Sequence, residues 1–159
     1  KFGDVMISLR PSAGDWEKAW KANNLAHPLV NKWKMLGVDI AVSNIEEASK
    51  YYTDLGFSEV SPMAEDDVLK VRSHRFNIGP LIFELVEPLA KDSIYQESIQ
   101  SRGDGIVDLV FLVKDLELEV EKLIANGAGL LLKENYQSRK SVFLDTRTEG
   151  NLITRLVQS

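Results

Sequence analysis

Two stretches of the chain, 71 residues apart, share one pattern. Residues 37–48 read Gly-Val-Asp-Ile-Ala-Val-Ser-Asn-Ile-Glu-Glu-Ala, and residues 108–119 read Asp-Leu-Val-Phe-Leu-Val-Lys-Asp-Leu-Glu-Leu-Glu. Each is an apolar strand ending in Val, then a polar residue, then Asn or Asp placed to cap a helix that opens with Ile-Glu or Leu-Glu. A duplicated unit narrows the choice of fold, because both copies must bury the same faces in the same order.

Both helices have readable ends. Ser43-x-x-Glu46 has the capping-box pattern, and Asp115 is placed to cap the second helix. Ile45, Ala48, Tyr52 and Leu55 share one helical face, with Gly56 as the stop. Leu116, Val120, Leu123 and Ile124 form the matching stripe, closed by Gly127 within Asn126-Gly127-Ala128-Gly129. Strand-like segments follow each helix: 57–60, 69–76 and 81–87 in the first half, then 129–132, 142–144 and 152–157 in the second. The unit is therefore βαβββ, used twice. Module one spans 37–89 and module two 105–158, with a linker helix over 92–102 that starts at Ser93-x-x-Gln96. Residues 1–36 form an N-terminal extension packed on the 37–159 domain, with a strand at Val5–Leu9, a helix over Asp15–Ala26 and a helical stretch from Pro28 through Trp33 and Leu36. Trp16, Trp20 and Trp33 are expected to fasten it down. The fold class is α+β, with a helical N-terminal extension.

Composition limits the chemistry. Among 159 residues there is no cysteine and there are two histidines, His27 and His74. Disulfides, thiolate metal sites and cysteine nucleophiles are thereby excluded, and a metal would have to lean on carboxylates. The net charge of −5 and the scattered Lys and Arg argue against nucleic acid or an anionic membrane as partner. No apolar stretch approaches a membrane span, and Lys1-Phe2-Gly3-Asp4 opens no secretory signal. The expected compartment is cytoplasmic. The chain starts at Lys rather than Met, which fits a piece of a longer product.

Specific motifs carry a family resemblance. Val38 to Ala48, Tyr51-Tyr52-x-x-Leu55-Gly56-Phe57, Glu84-Leu85-Val86-Glu87-Pro88-Leu89, Ser101-Arg102-Gly103-Asp104-Gly105-Ile106 and Gly150-Asn151-Leu152-Ile153 together resemble the vicinal oxygen chelate superfamily. This is the superfamily of glyoxalases, bleomycin-resistance proteins and ring-cleaving dioxygenases, and the likeness is greatest to methylmalonyl-CoA epimerase. It implies paired modules that close a U-shaped, barrel-like mixed sheet around a cavity, and a homodimer. In metal-using members, the first and last strands of each module supply four ligands. By counting, those positions fall on Gly37, Glu84, Asp108 and Thr154, none of them a histidine. The epimerases' second catalytic glutamate falls near Val68.

Strand alternation adds an independent reading. Gly37, Asp39 and Ala41 share a face, as do Ile82, Glu84 and Val86, and Ile106, Asp108, Val110 and Leu112. Asp39, Glu84 and Asp108 then sit on otherwise apolar inward faces, where a carboxylate needs a partner, a cation or a raised pKa. Arg75, Arg155 and Thr154 are the available partners. Asp39 has a second reading as a strand-end residue facing solvent. His74, within Arg72-Ser73-His74-Arg75, is expected on an exposed edge strand, and His27 at a helix junction. Tyr51, Tyr52 and Phe57 suit core packing.

The residues favour an enzyme, an isomerase, cyclase or lyase that works on a small molecule by acid–base catalysis without a metal. Glu84 and Asp108 would transfer protons and Asp39 would assist. Thr154, Arg155, Arg75 and Gly37 would bind substrate. One alternative is an epimerase-like enzyme of acyl-CoA thioesters, using a divalent cation such as Mg, Mn or Co held by Glu84 and Asp108. Another is a non-catalytic protein that binds a drug or metabolite, which would need an aromatic-lined cleft where the readable concave positions carry acids and aliphatics.

Overall fold

The structure is a computed structural model, and it describes residues 32–159. The expected strand at Val5–Leu9, the helix over 15–26, His27, Trp16 and Trp20 lie outside the described residues. Eight strands form one mixed sheet: β1 (Lys34–Ala41), β2 (Ser58–Asp66), β3 (Val71–Ile78), β4 (Leu81–Pro88), β5 (Gly105–Val113), β6 (Gly129–Tyr136), β7 (Arg139–Asp145) and β8 (Ile153–Gln158). Three helices accompany them, α1 (Ile45–Asp54), α2 (Gln96–Arg102) and α3 (Leu116–Ala125), with a single turn, α4 (Arg147–Gly150). The helical stretch expected through Leu36 is corrected at its end, because Lys34–Leu36 are already strand. Among the described residues no helix is long and apolar enough to cross a membrane.

The sheet order is β2-β3-β4-β1-β5-β8-β7-β6. Each module contributes four strands, and its first strand runs parallel to its last: β1 beside β4, β5 beside β8. The modules join where β1 meets β5, antiparallel. α1 and α3 match residue for residue at the 71-residue offset, and their stops, Gly56 (φ +89°) and Gly127 (φ +99°), keep the same spacing. A left-handed stop of this kind favours glycine.

Each helix covers the outer face of its own half-sheet. Ile45, Ala48 and Tyr52 of α1 pack on Ile40, Phe76, Phe83 and Leu85. Leu116 and Val120 of α3 pack on Val142, Leu144 and Leu156. Trp33 joins the second cluster through the Phe111 ring, 5.4 Å away, and donates its indole N–H to Glu119. Tyr52 is buried as expected, while Tyr51 is 40% exposed.

Two local expectations change. The α1 cap is Asn44, whose side chain accepts from the Glu47 N–H, while Ser43 binds Asp104 through both its N–H (2.9 Å) and its hydroxyl (2.6 Å). The start of α1 is thereby tied to the entry of β5. His74 is buried rather than on an exposed edge, since β2 lies outside β3. Its Nδ1 lies 2.8 Å from the Ser49 hydroxyl beneath α1 and its Nε2 lies 3.3 Å from Glu59.

Candidate active site

The concave face of the sheet gathers charges from both modules. β1 carries Asp39 at its centre, in register with Glu84 on β4 and with Asp108 on β5. Arg75 on β3 is in register with Glu84. A bulge sets the join: Asp39 pairs with Asp108 but Ile40 pairs with Ile106, leaving Val107 as the extra residue. The bulge breaks the alternation expected along β5. Ile106 packs outward against the α1 cluster, and Val107 joins the Tyr95 cluster on the concave side.

Asp39 is 2% exposed, Glu84 3% and Asp108 fully buried, so all three predicted acids come together inside the protein. Their partners differ. Glu84 accepts from Arg75 Nε at 2.8 Å. Asp39 accepts from the Tyr95 hydroxyl at 3.0 Å and lies 3.5 Å from Arg155. Neither carboxyl oxygen of Asp108 has a hydrogen-bonding partner among the described residues. Burial first, then the Glu84 charge, push Asp39 up to about 7 against the pull of Arg155, Tyr95 and Arg75. Burial, then the Asp39 charge, hold Asp108 well above the usual carboxylate range. Asp108 thus holds its proton more tightly than an exposed aspartate does, opposite a neighbour pushed to about 7.

Three further residues complete the site and were missed in the sequence. Tyr95 stands just ahead of α2 and is fully buried. Glu134 on β6 is ion-paired to Arg155, and its side chain is 4% exposed. Tyr136, at the end of β6, lies beneath both guanidiniums, 4.3 Å from that of Arg155 and 4.9 Å from that of Arg75. Period-two alternation from Glu134 to Tyr136 would have placed the last two on one face. β6 lies next but one to β8, across β7, which brings Glu134 within reach of Arg155. These tyrosines also correct the expectation that the concave face carries acids and aliphatics alone.

Two expected substrate contacts are not brought into the site. Thr154 faces the outer side of β8, its hydroxyl 2.9 Å from that of Thr146. Gly37 has nothing to bind with, and a Cβ there would stand 2.1 Å from the Ile82 carbonyl oxygen. It is a close-approach glycine, and the first-strand position has no room for a ligand side chain. Arg75 and Arg155 do reach the site, each committed to carboxylates.

Asp39, Glu84, Arg75, Arg155, Tyr95 and Tyr136 line a cavity of about 130 Å³ together with Asp66, Ser73 and Gln137. Asp108 lies behind this wall. The donor set does not suit a resident metal: Arg75 takes Glu84 Oε1 and Tyr95 and Arg155 take Asp39 Oδ2, so two guanidinium charges already stand beside these carboxylates, and a second cation there would be repelled. Among the described residues no group of three or more acids or histidines has metal-holding geometry.

Comparison with known proteins gives the architecture its context. Methylmalonyl-CoA epimerase from Mycobacterium tuberculosis superposes with a TM-score of 0.70 at 24% identity, covering 84% of this chain and 91% of that one. The chain has the vicinal oxygen chelate fold. A methylmalonyl-CoA epimerase in complex with methylmalonyl-CoA and NH4+ gives 0.69 at 19% identity, over 79% of this chain and 94% of that one. A hypothetical protein from Bacillus halodurans C-125 gives 0.70 at 24% identity, over 80% and 94%. In sequence, the uncharacterised protein YqjC of Bacillus subtilis (strain 168) is 24% identical over 127 residues, covering 76% of this chain and 89% of that protein. No family model matches.

Proposed function

We propose that the protein is an acid–base enzyme acting on a small molecule, an isomerase, cyclase or lyase in which Asp39 takes and returns the proton. The observation that carries this reading is the buried Asp39–Asp108 pair. Of the two, Asp39 lines the cavity, while Asp108 stands behind it. A carboxyl that titrates near the working pH is suited to both halves of a proton transfer. Asp39 as carboxylate accepts a proton from a C–H or O–H of the substrate and, now neutral, gives it back at a second position or face. Asp108, whose carboxyl burial and the Asp39 charge make harder to ionise, opposes a second charge beside it. Tyr95 fixes the Asp39 carboxyl by its hydroxyl, and Arg75 holds Glu84.

The fold neighbours include a methylmalonyl-CoA epimerase in complex with methylmalonyl-CoA, and this favours a carbon acid as substrate class. A thioester of that kind would place its acyl end in the cavity of about 130 Å³, with the nucleotide outside. The test is solvent-deuterium incorporation, read by mass spectrometry over a panel of methylmalonyl-CoA and small oxo and hydroxy acids. Exchange that falls about 100-fold or more in Asp39→Asn, with the fold intact by circular dichroism, is the expected result. Exchange at an unchanged rate in that variant would remove Asp39 from the mechanism. A ligand bound tightly and recovered unaltered favours the non-catalytic reading instead.

A further inference from the structure

The register and the 71-residue repeat both put the fourth ligand position on Arg155 rather than on Thr154. Across β1 and β4, Asp39 pairs with Glu84, and across β5 and β8, Val110 pairs with Arg155. Asp39 and Val110 are 71 residues apart, and so are Glu84 and Arg155. Arg155 is thus the counterpart of Glu84 in the second module, and Thr154 points to the other side of the sheet. Where the resemblance implies an acidic ligand, this chain places a guanidinium.

That guanidinium is built in. Arg155 is 3% exposed, bonds Glu134 on β6 and lies 3.5 Å from Asp39 on β1. The rings of Tyr136 and Phe143 lie 4.3 and 4.4 Å from its central carbon. It therefore bridges acids of both modules, as a metal bound between them would. Arg75 on β3 pairs with Glu84 within module one. Together the two guanidiniums bring two positive charges among Asp39, Glu84, Asp108 and Glu134, the charge of one divalent cation. A dication entering the same space would meet both at short range, where charges of one sign repel strongly.

We infer that Arg155 is a covalently tethered replacement for the metal of this fold, and that its side chain is what keeps a divalent cation out. Without it, Asp39 and Glu134 lose a shared cation while Glu84 and Asp108 remain close by, leaving an acid-lined space of the kind hard cations occupy. The inference stands on geometry alone and does not depend on whether the protein is a catalyst.

The experiment is Mn²⁺ binding by equilibrium dialysis and electron paramagnetic resonance, on protein stripped with chelator and then dialysed free of it. Wild type is expected to take up far less than one equivalent at about 1 mM Mn²⁺, whereas Arg155→Ala gains about one equivalent with affinity at least tenfold higher. Arg155→Lys, which retains a cation, is expected to refuse the metal as wild type does. Should Arg155→Ala not fold alone, Mn²⁺ added during refolding is expected to restore its circular dichroism, and Arg155→Gln, closer in size, carries the same binding measurement. Methylguanidinium is expected to compete with Mn²⁺ in the alanine variant. Stoichiometric Mn²⁺ in wild type overturns the inference, and so does the absence of any gain in both the alanine and glutamine variants.

Discussion

Asp39 and Asp108 face each other across the antiparallel join of β1 and β5, at the seam where the two modules meet, and both are buried. Like charges directly opposite in a sheet are unfavourable, and burial multiplies the cost. The arrangement persists because a proton removes one of the charges. Both carboxyls bind their protons more tightly in the folded chain than in the unfolded one.

The pH dependence of stability follows from that difference. For Asp39, the folded chain holds the proton between about pH 4 and 7 while the unfolded chain has lost it, so this contribution to stability falls as pH rises through that window and is gone above about 7. Asp108 is displaced in the same direction. Asp108→Asn keeps the shape and removes the titration. Relative to wild type, it is expected to gain stability as pH rises from 5 to 8, by an amount on the order of 1 kcal/mol or more. Urea unfolding at the two pH values measures it, and equal changes at both would show that the aspartate bears no such load.

Glu84 and Arg75 form the ion pair nearest the cavity wall, and removing one partner strands the other. Glu84→Gln is expected to destabilise by about 2–4 kcal/mol and to lower turnover less than Asp39→Asn does. That outcome would move to Asp39 the proton-transfer role that alternation gives to Glu84 and Asp108. A larger kinetic loss in Glu84→Gln than in Asp39→Asn would return it to Glu84.

Much of this arrangement was legible in the chain. The 71-residue repeat marked out both helices and their glycine stops, because these depend on local pattern. Alternation also found Asp39, Glu84 and Asp108, since charges on apolar strand faces stand out. Other parts depend on events between strands. The Val107 bulge inverted the placement of Ile106. The fourth ligand position, expected at Thr154, is Arg155 by register, and the 71-residue offset from Glu84 already pointed there. Glu134 meets Arg155 across β7, a neighbour relation set by the strand order of module two rather than by any local pattern. His74 was misplaced because a polar flank hid that β3 is an inner strand beneath α1.

Asn44 and Ser43 offer a direct check on the start of α1. Asn44 caps the helix, so Asn44→Ala is expected to cost about 1 kcal/mol through the freed Glu47 N–H. Ser43→Ala removes a hydroxyl bonded to Asp104 but leaves the Ser43 N–H bond to the same oxygen. Its cost should be smaller, and it should vanish in an Asp104→Ala background, where Asn44→Ala keeps its full effect. Thermal unfolding of the four proteins and the two double variants tests both statements.

The turn between β6 and β7 carries strain close to the cavity. Gln137 (φ +50°) and Ser138 (φ +67°) are the two loop residues between paired Tyr136 and Arg139, and neither is glycine. Two-residue hairpins with both central residues at positive φ favour Asn-Gly, so Gln137→Asn with Ser138→Gly is expected to stabilise the protein by about 1 kcal/mol. Gln137 also lines the cavity, whereas Ser138 does not. The single variant Ser138→Gly should therefore gain stability with ligand binding unchanged, and Gln137→Asn should gain stability while weakening binding. Strain retained at a residue that faces a ligand is a common mark of a functional position. If both single variants gain stability and neither alters binding, Gln137 has no part in the site and the strain there is incidental.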